Sequence, residues 1–320
     1  MSKPTEQKDL IIHNQTIAPG EREIIRIPVG QLPAGGQISI RAHVFRSSQP
    51  GPVMLVMGGV HGDEINGVEI VRRAIERGYF DQLLRGSVIA IPLLNIYGFI
   101  NFSRDVPDGK DVNRSFPGNF KGSLASRVAR TVTKKILPSI DFGVDCHTGG
   151  RSLYNYPQIR FSKDDAPSEA LATAFGAPCL IASRPISKSL RKVALEEGKP
   201  IIVYEGGESL RYDGLAIQKG LEGIKRLMQD QKMVKGSPAP TESWMFKKSS
   251  WIRADRAGLF EWTKCSGNMV QKGEPLGIIK DPQAQKPPSR IYAPHTGFLI
   301  GQNNAPVVSQ GDALFHLAIL

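Results

Sequence analysis

His61-Gly62-Asp63-Glu64 sets an imidazole and a carboxylate three residues apart, just past the apolar run 53–57 and the pair Gly58-Gly59. On a turn that leads into a helix, such a pair can reach one metal ion, and zinc accepts these ligand types. Taken alone the pattern is a common chance match. A zinc site with an open position needs a third protein ligand, and His147 supplies it. It follows the strand-like run 142–146 and precedes Thr148-Gly149-Gly150. The competing reading is a solvent-facing loop histidine. His13, His43, His295 and His316 have no comparable setting and read as structural or surface residues.

Glu205, in Tyr204-Glu205-Gly206-Gly207, again follows an apolar run. A carboxylate beside a metal-activated water can take its proton, because the metal brings that water's pKa from about 15.7 to about 7. A carboxylate stabilised by a helix dipole is the alternative. Asp111-Val112-Asn113-Arg114 lies between a strand and a helix, with Arg104 before it. Arg114 beside Asn113 offers forked, charge-assisted hydrogen bonds to a carboxylate. Arg104 could polarise a scissile carbonyl and steady its oxyanion. Each of these arginines alone also fits an ordinary surface position.

The elements that must position these groups alternate. Residues 53–57 and 88–91 read as buried strands, with a helix between them from about Asn66 to Gly78. Ser123 reads as the N-cap of a helix that Pro138 ends, and 142–146 is the next strand. Helices over 168–175 and 187–197, a strand over 201–204 and a helix through Met228 complete the series. This βα alternation predicts a largely parallel sheet with helices on both faces, and ligands at its carboxyl edge. Residues 1–50 add an antiparallel edge segment. After the Pro/Gly/Ser linker 235–241 helical periodicity ends. Ala254-x-x-x-Gly258 recurs as Ala293-x-x-x-Gly297, and Val270-x-x-Gly273 as Val308-x-x-Gly311, which predicts a small all-β unit. The expected division is a catalytic domain over 1–240 and a β domain over 241–320.

Composition narrows the class. A 40% hydrophobic, 22% charged chain of 320 residues is ordinary for a folded soluble protein. The net charge of +11 favours encounter with anions, yet basic residues never run longer than two and no nucleic-acid-binding signature accompanies them. Cys146, Cys179 and Cys265 are too few and too scattered for a disulfide framework or a thiolate zinc site. No run approaches a membrane span, so the expectation is a cytoplasmic protein with neither nucleic-acid nor membrane partners. Nothing in the sequence sets an oligomeric state.

Together GGVHGDE, DVNRSFPG, DCHTGG and YEGGE, in this order and spacing, resemble the succinylglutamate desuccinylase/aspartoacylase family, relatives of the zinc carboxypeptidases. The resemblance covers the α/β body. It implies a carboxypeptidase-like α/β/α sandwich with a mixed, largely parallel sheet, one Zn²⁺ per chain and hydrolysis of the amide of a small N-acyl amino acid. It also implies His61, Glu64 and His147 as zinc ligands and Glu205 as base and proton shuttle. Arg104 then polarises the carbonyl, and Asn113 and Arg114 hold the substrate carboxylate. Asp145 either orients a ligating histidine or is simply polar at a strand end. The C-terminal repeat resembles a lipoyl/biotinyl-type barrel, but Lys280 lies in Ile279-Lys280-Asp281 without a Met-Lys-Met motif, so it reads as unmodified. Tyr154, Tyr156 and Arg160 line a pocket or serve packing, and the loop 149–161 with the β unit restricts access. The rival readings are a metallocarboxypeptidase acting on peptide C-termini and a non-catalytic metal- or ligand-binding module.

Overall fold

The computed structural model describes residues 9–32 and 34–320. A hairpin of β1 (Leu10–Ile12) and β2 (Gln15–Ile17) leads into β3 (Arg22–Gln31) and β4 (Gln37–Arg46). Then β5 (Val53–Gly58), α1 (Ile65–Glu76), β6 (Ser87–Ile91) and α2 (Ile96–Ile100) follow. Next come α3 (Leu124–Lys135), β7 (Phe142–Gly149), β8 (Leu153–Ser162), α4 (Ala166–Phe175) and β9 (Cys179–Ser183). The body closes with α5 (Leu190–Glu196), β10 (Ile201–Glu208) and α6 (Gly214–Asp230).

The centre of the main sheet is the parallel set β6-β5-β7-β10. Its residues alternate between two cores. Leu55 and Met57 join Val128 and Val132 of α3 and Leu190 and Val193 of α5. Met54 and Val56 join Ile70 of α1, Phe175 of α4 and Leu221 of α6 on the other face. Both faces of the sheet are thus covered, which is why these strands read as continuous apolar runs. Parallel pairing does not dominate the whole sheet, however. On one side β4 pairs antiparallel with β6, and β3 with β4, because a short hairpin joins them. On the other side β8 lies antiparallel to β10 and carries β9 parallel along part of its far edge.

Beyond residue 240 the regular elements are all strands. It comprises β11 (Trp244–Phe246), β12 (Ser249–Arg253), β13 (Gly258–Trp262), β14 (Met269–Val270) and β15 (Pro275–Lys280). After them come β16 (Ser289–Tyr292), β17 (Gly297–Asn303), β18 (Val307–Val308) and β19 (Ala313–Ile319). One antiparallel sheet runs β16-β15-β13-β18. The other strands extend the main sheet: β17 pairs with β8, β19 with β17 and β12 with β19, while β11 adds to β9. The helix and strand expectations hold, with ends moved by a few residues, but the expected loop over 149–161 is mostly the strand β8. Its polar residues and Pro157 mask a strand period that only pairing on both edges makes stable. Among the described residues no helix is long and apolar enough to cross a membrane.

Candidate active site

Chain reversals at the carboxyl end of the parallel strands bring the chemistry together. His61 lies in the turn after β5, and Glu64 occupies the N-cap position of α1 without capping it. Its carboxylate turns instead between two imidazoles. Oε1 is 2.6 Å from His61 Nδ1 and Oε2 is 2.8 Å from His147 Nδ1, with Thr148 N donating to Oε2 at 3.1 Å. The two Nδ1 atoms are 3.2 Å apart. All three residues are buried, and their ligating atoms lie within 4.8 Å of one another, so the group can hold a metal ion.

Each imidazole is fixed from behind. His147 Nε2 meets Asp145 Oδ2 at 2.8 Å, and His61 Nε2 meets Asp111 Oδ1 at 3.2 Å. A carboxylate on the far nitrogen sets the tautomer and leaves the near nitrogen as a donor to metal, the arrangement typical of histidine ligands. Burial opposes charge on all of these groups. Asp145 and Glu64 nevertheless lift His147 well above the ordinary histidine value, and Glu64 with Asp111 lifts His61. Against the same burial, the two histidines hold Glu64 well below the usual carboxylate range. Without metal, protons neutralise this cluster; a divalent cation would take their place.

Arg104 reaches into the cluster, donating to Glu64 Oε1 at 3.1 Å and to Asp111 Oδ2 at 3.0 Å. Its backbone carbonyl accepts from Asn95, the N-cap of α2. Asp111 caps the 3-10 turn Val112–Arg114 through Asn113 N at 2.6 Å. Asn113 Oδ1 accepts from Leu190 N at the start of α5, and Arg114 donates to Asn113 O at 2.7 Å. Glu205, on β10, accepts from Asn155 Nδ2 at 2.9 Å.

A cavity of about 490 Å³ takes in all seven residues singled out by sequence: His61, Glu64, Arg104, Asn113, Arg114, His147 and Glu205. That size suits a small molecule. Its lining also holds groups the sequence reading missed or left open: Asn155, Arg160, Arg184, Arg191 and Trp251. Arg191 is buried, donates to Ser183 Oγ at 3.0 Å, and has an Nη1 without a hydrogen-bond partner. Burial and the neighbouring Arg160 bring its guanidinium down to about 10. Trp251 arrives from β12 and stacks on His316, ring centroids 4.2 Å apart. No local pattern marks these residues, since each comes from an element remote in sequence. Tyr154 and Tyr156 do not line the cavity; Tyr156 packs on Phe298 and lies against Gly267.

Known proteins resemble this chain in sequence and fold. Residues 50–230 match the model of the succinylglutamate desuccinylase/aspartoacylase catalytic domain. The N-alpha-acetyl-L-2,4-diaminobutyric acid deacetylase of Halomonas elongata is 29% identical over 301 residues, spanning 89% of this chain and 87% of that protein. A succinylglutamate desuccinylase/aspartoacylase from Rhodobacter sphaeroides superposes with a TM-score of 0.84 at 27% identity, covering 93% of this chain and 94% of that one. The product-bound ectoine utilization protein of Ruegeria pomeroyi reaches 0.86 at 23% identity, over 98% of this chain and all of that one, a likeness of fold.

Proposed function

The chain belongs to the succinylglutamate desuccinylase/aspartoacylase family, and from that premise we propose that it is a zinc-dependent amidohydrolase that removes the acyl group from a small N-acyl amino acid. The observation that carries the reading is the pair of buried histidines, each turning Nδ1 toward Glu64 and resting Nε2 on a carboxylate. His61, Glu64 and His147 would hold one Zn²⁺ per chain; the donor set of two imidazoles and a carboxylate fits that ion. When bound, the metal supplies Lewis acidity and lowers the pKa of water.

The chain's own residues do the rest. Glu205 takes the proton of the attacking water and returns it to the leaving amine. Arg104 stands beside the cluster and donates to the developing oxyanion. Arg114 and the amide of Asn113 grip the substrate carboxylate from the cavity's rim. Arg160, Arg184 and Arg191 keep the whole cavity attractive to anions, in line with the chain's positive charge. The same proposal includes a carboxypeptidase-like catalytic domain over 1–240, a lipoyl-like β domain over 241–320, and a cytoplasmic setting, which the three free cysteines suit. The named relatives add support: one acts on an N-acetylated diamino acid.

The test is turnover by zinc-loaded protein of a panel of N-acetyl and N-succinyl amino acids beside blocked dipeptides and longer peptides. Acyl amino acids should be preferred in kcat/KM, and Glu205→Gln should lose at least about 10²-fold in turnover with zinc retained. Efficient trimming of long peptides would instead favour a carboxypeptidase, and unchanged turnover in Glu205→Gln removes the base from the scheme.

A further inference from the structure

Strand β8 contains Pro157 and has neighbours on both edges: β10 on one, β9 and β17 on the other. Proline lacks an N–H and is accepted inside a sheet mainly at bulges. The pairing with β10 adjusts here. Glu205 faces Gln158, but Gly207 faces Asn155, so three steps along β8 match two along β10. One extra residue therefore lies between Gln158 and Asn155, in the stretch that holds Pro157. An extra residue inverts the alternation of side chains beyond it. Arg160 and Asn155, which a regular strand would send to opposite faces, both line the cavity. Tyr154 and Tyr156 are turned away from it by the same shift.

Asn155 is 6% exposed, and its Nδ2 donates to Glu205 Oε2 at 2.9 Å. Its register partners leave it room, being Gly207 on β10 and Gly301 on β17. Gly207 has a φ of 81°, a conformation that favours glycine, as the bend after Glu205 requires. A Cβ at Gly301 would stand 3.1 Å from Asn155 Oδ1 and 3.0 Å from the Tyr154 carbonyl, so a larger residue there presses on the same amide. The other oxygen of Glu205, Oε1, has Arg160 Nε at 3.9 Å, beyond hydrogen-bond reach.

We infer that Asn155 is a positioning residue for Glu205: its amide holds Oε2, leaving Oε1 to exchange the proton, and β17 of the C-terminal strands leaves that amide its room at Gly301. The inference rests on the reading of Glu205 as the base. A carboxylate held in one orientation presents its free oxygen without prior rearrangement, and small misplacements of reacting groups are costly. The C-terminal strands then bear on the proton transfer through the space that Gly301 leaves beside Asn155.

Two substitutions test this on the zinc-loaded full chain with an N-acetyl amino acid that it turns over. Asn155→Asp keeps the shape and removes the donor; Asn155→Ala removes both. Each should lower kcat by roughly 10- to 100-fold while KM stays within about two-fold, with zinc content and melting temperature retained. In a Glu205→Gln background the same substitutions should cost less than about two-fold, because the group they position is gone. Equal losses in both backgrounds, a loss carried by KM, or full kcat in Asn155→Asp overturns the inference. Should Glu205→Gln alone keep its turnover, the assignment of the base has failed, and the role of Asn155 falls with it.

Discussion

Asp145→Asn removes a negative charge from behind His147 while keeping the side chain's size. The hydrogen bond it weakens is 2.8 Å long and buried at both ends. A hydrogen bond to a charged group contributes about 1.5–3 kcal/mol net and a neutral one about 0.5–1.5 kcal/mol. Asparagine keeps a neutral acceptor, so the expected loss is about 1–1.5 kcal/mol, or roughly tenfold in zinc affinity. That falls at the lower end of the roughly 10- to 100-fold seen when partners of metal ligands are changed. The new amide nitrogen takes the place of Asp145 Oδ1, which is buried and has no hydrogen-bond partner. Asp111→Asn supplies the comparison. Its bond to His61 is longer, 3.2 Å, its side chain is 17% exposed, and its charge is shared with Arg104 at 3.0 Å. Screening and sharing reduce the effect there to about three-fold. Competition against a chromophoric zinc chelator, on metal-stripped protein at one pH, measures both. Affinity within two-fold of the parent in Asp145→Asn, or a larger loss in Asp111→Asn, refutes the reasoning.

Other perturbations carry defined signs. In the metal-free protein His147 has a raised pKa and is protonated below it, so the proton competes with zinc. Apparent zinc affinity should therefore climb with pH, roughly tenfold per unit for each proton displaced, until the raised pKa of His147 is passed, and level off above it; a profile flat throughout in the same chelator assay contradicts this. Arg114→Ala should raise KM for every carboxylate substrate by roughly tenfold with kcat nearly kept, because that grip is made before and during the reaction alike; a loss confined to kcat argues otherwise. Phe175 is fully buried, with its ring 5.4 Å from that of Tyr204 and its edge against Gly223 of α6. Phe175→Ala should cost about 3–5 kcal/mol in denaturant unfolding, and a cost under about 1 kcal/mol would show that this core collapses freely.

Much of the body was legible because its central strands are buried on both faces and several of its helices begin at recognisable capping residues. Residues 53–57 and 201–204 are apolar throughout, as double burial demands, and Ser123 does cap α3 through Ser126 N. The group that could hold a metal was legible for a related reason. His61, Glu64 and His147 each stand where such a run gives way to glycine, and a parallel sheet delivers those ends to one edge. Asp111 lay within a motif already singled out, but its bond to His61 spans fifty residues and no spacing rule announces it.

Strand β8 shows where local signals stop. Its residues pair with elements both before and after it, so its stability is a property of the sheet and not of its own period. One extra residue beside Pro157 then reverses which side chains meet the cavity, bringing Asn155 to Glu205 and turning Tyr154 and Tyr156 away. Arg191 and Trp251 reach the cavity from α5 and β12, positions that only the folded chain makes adjacent. The sequence by itself determined the His-Glu-His group that could hold a metal and the strand ends that carry it, because short-range spacing and burial encode both. Tertiary structure decided the rest of the cavity, because pairing register and a bulge choose which face each side chain takes.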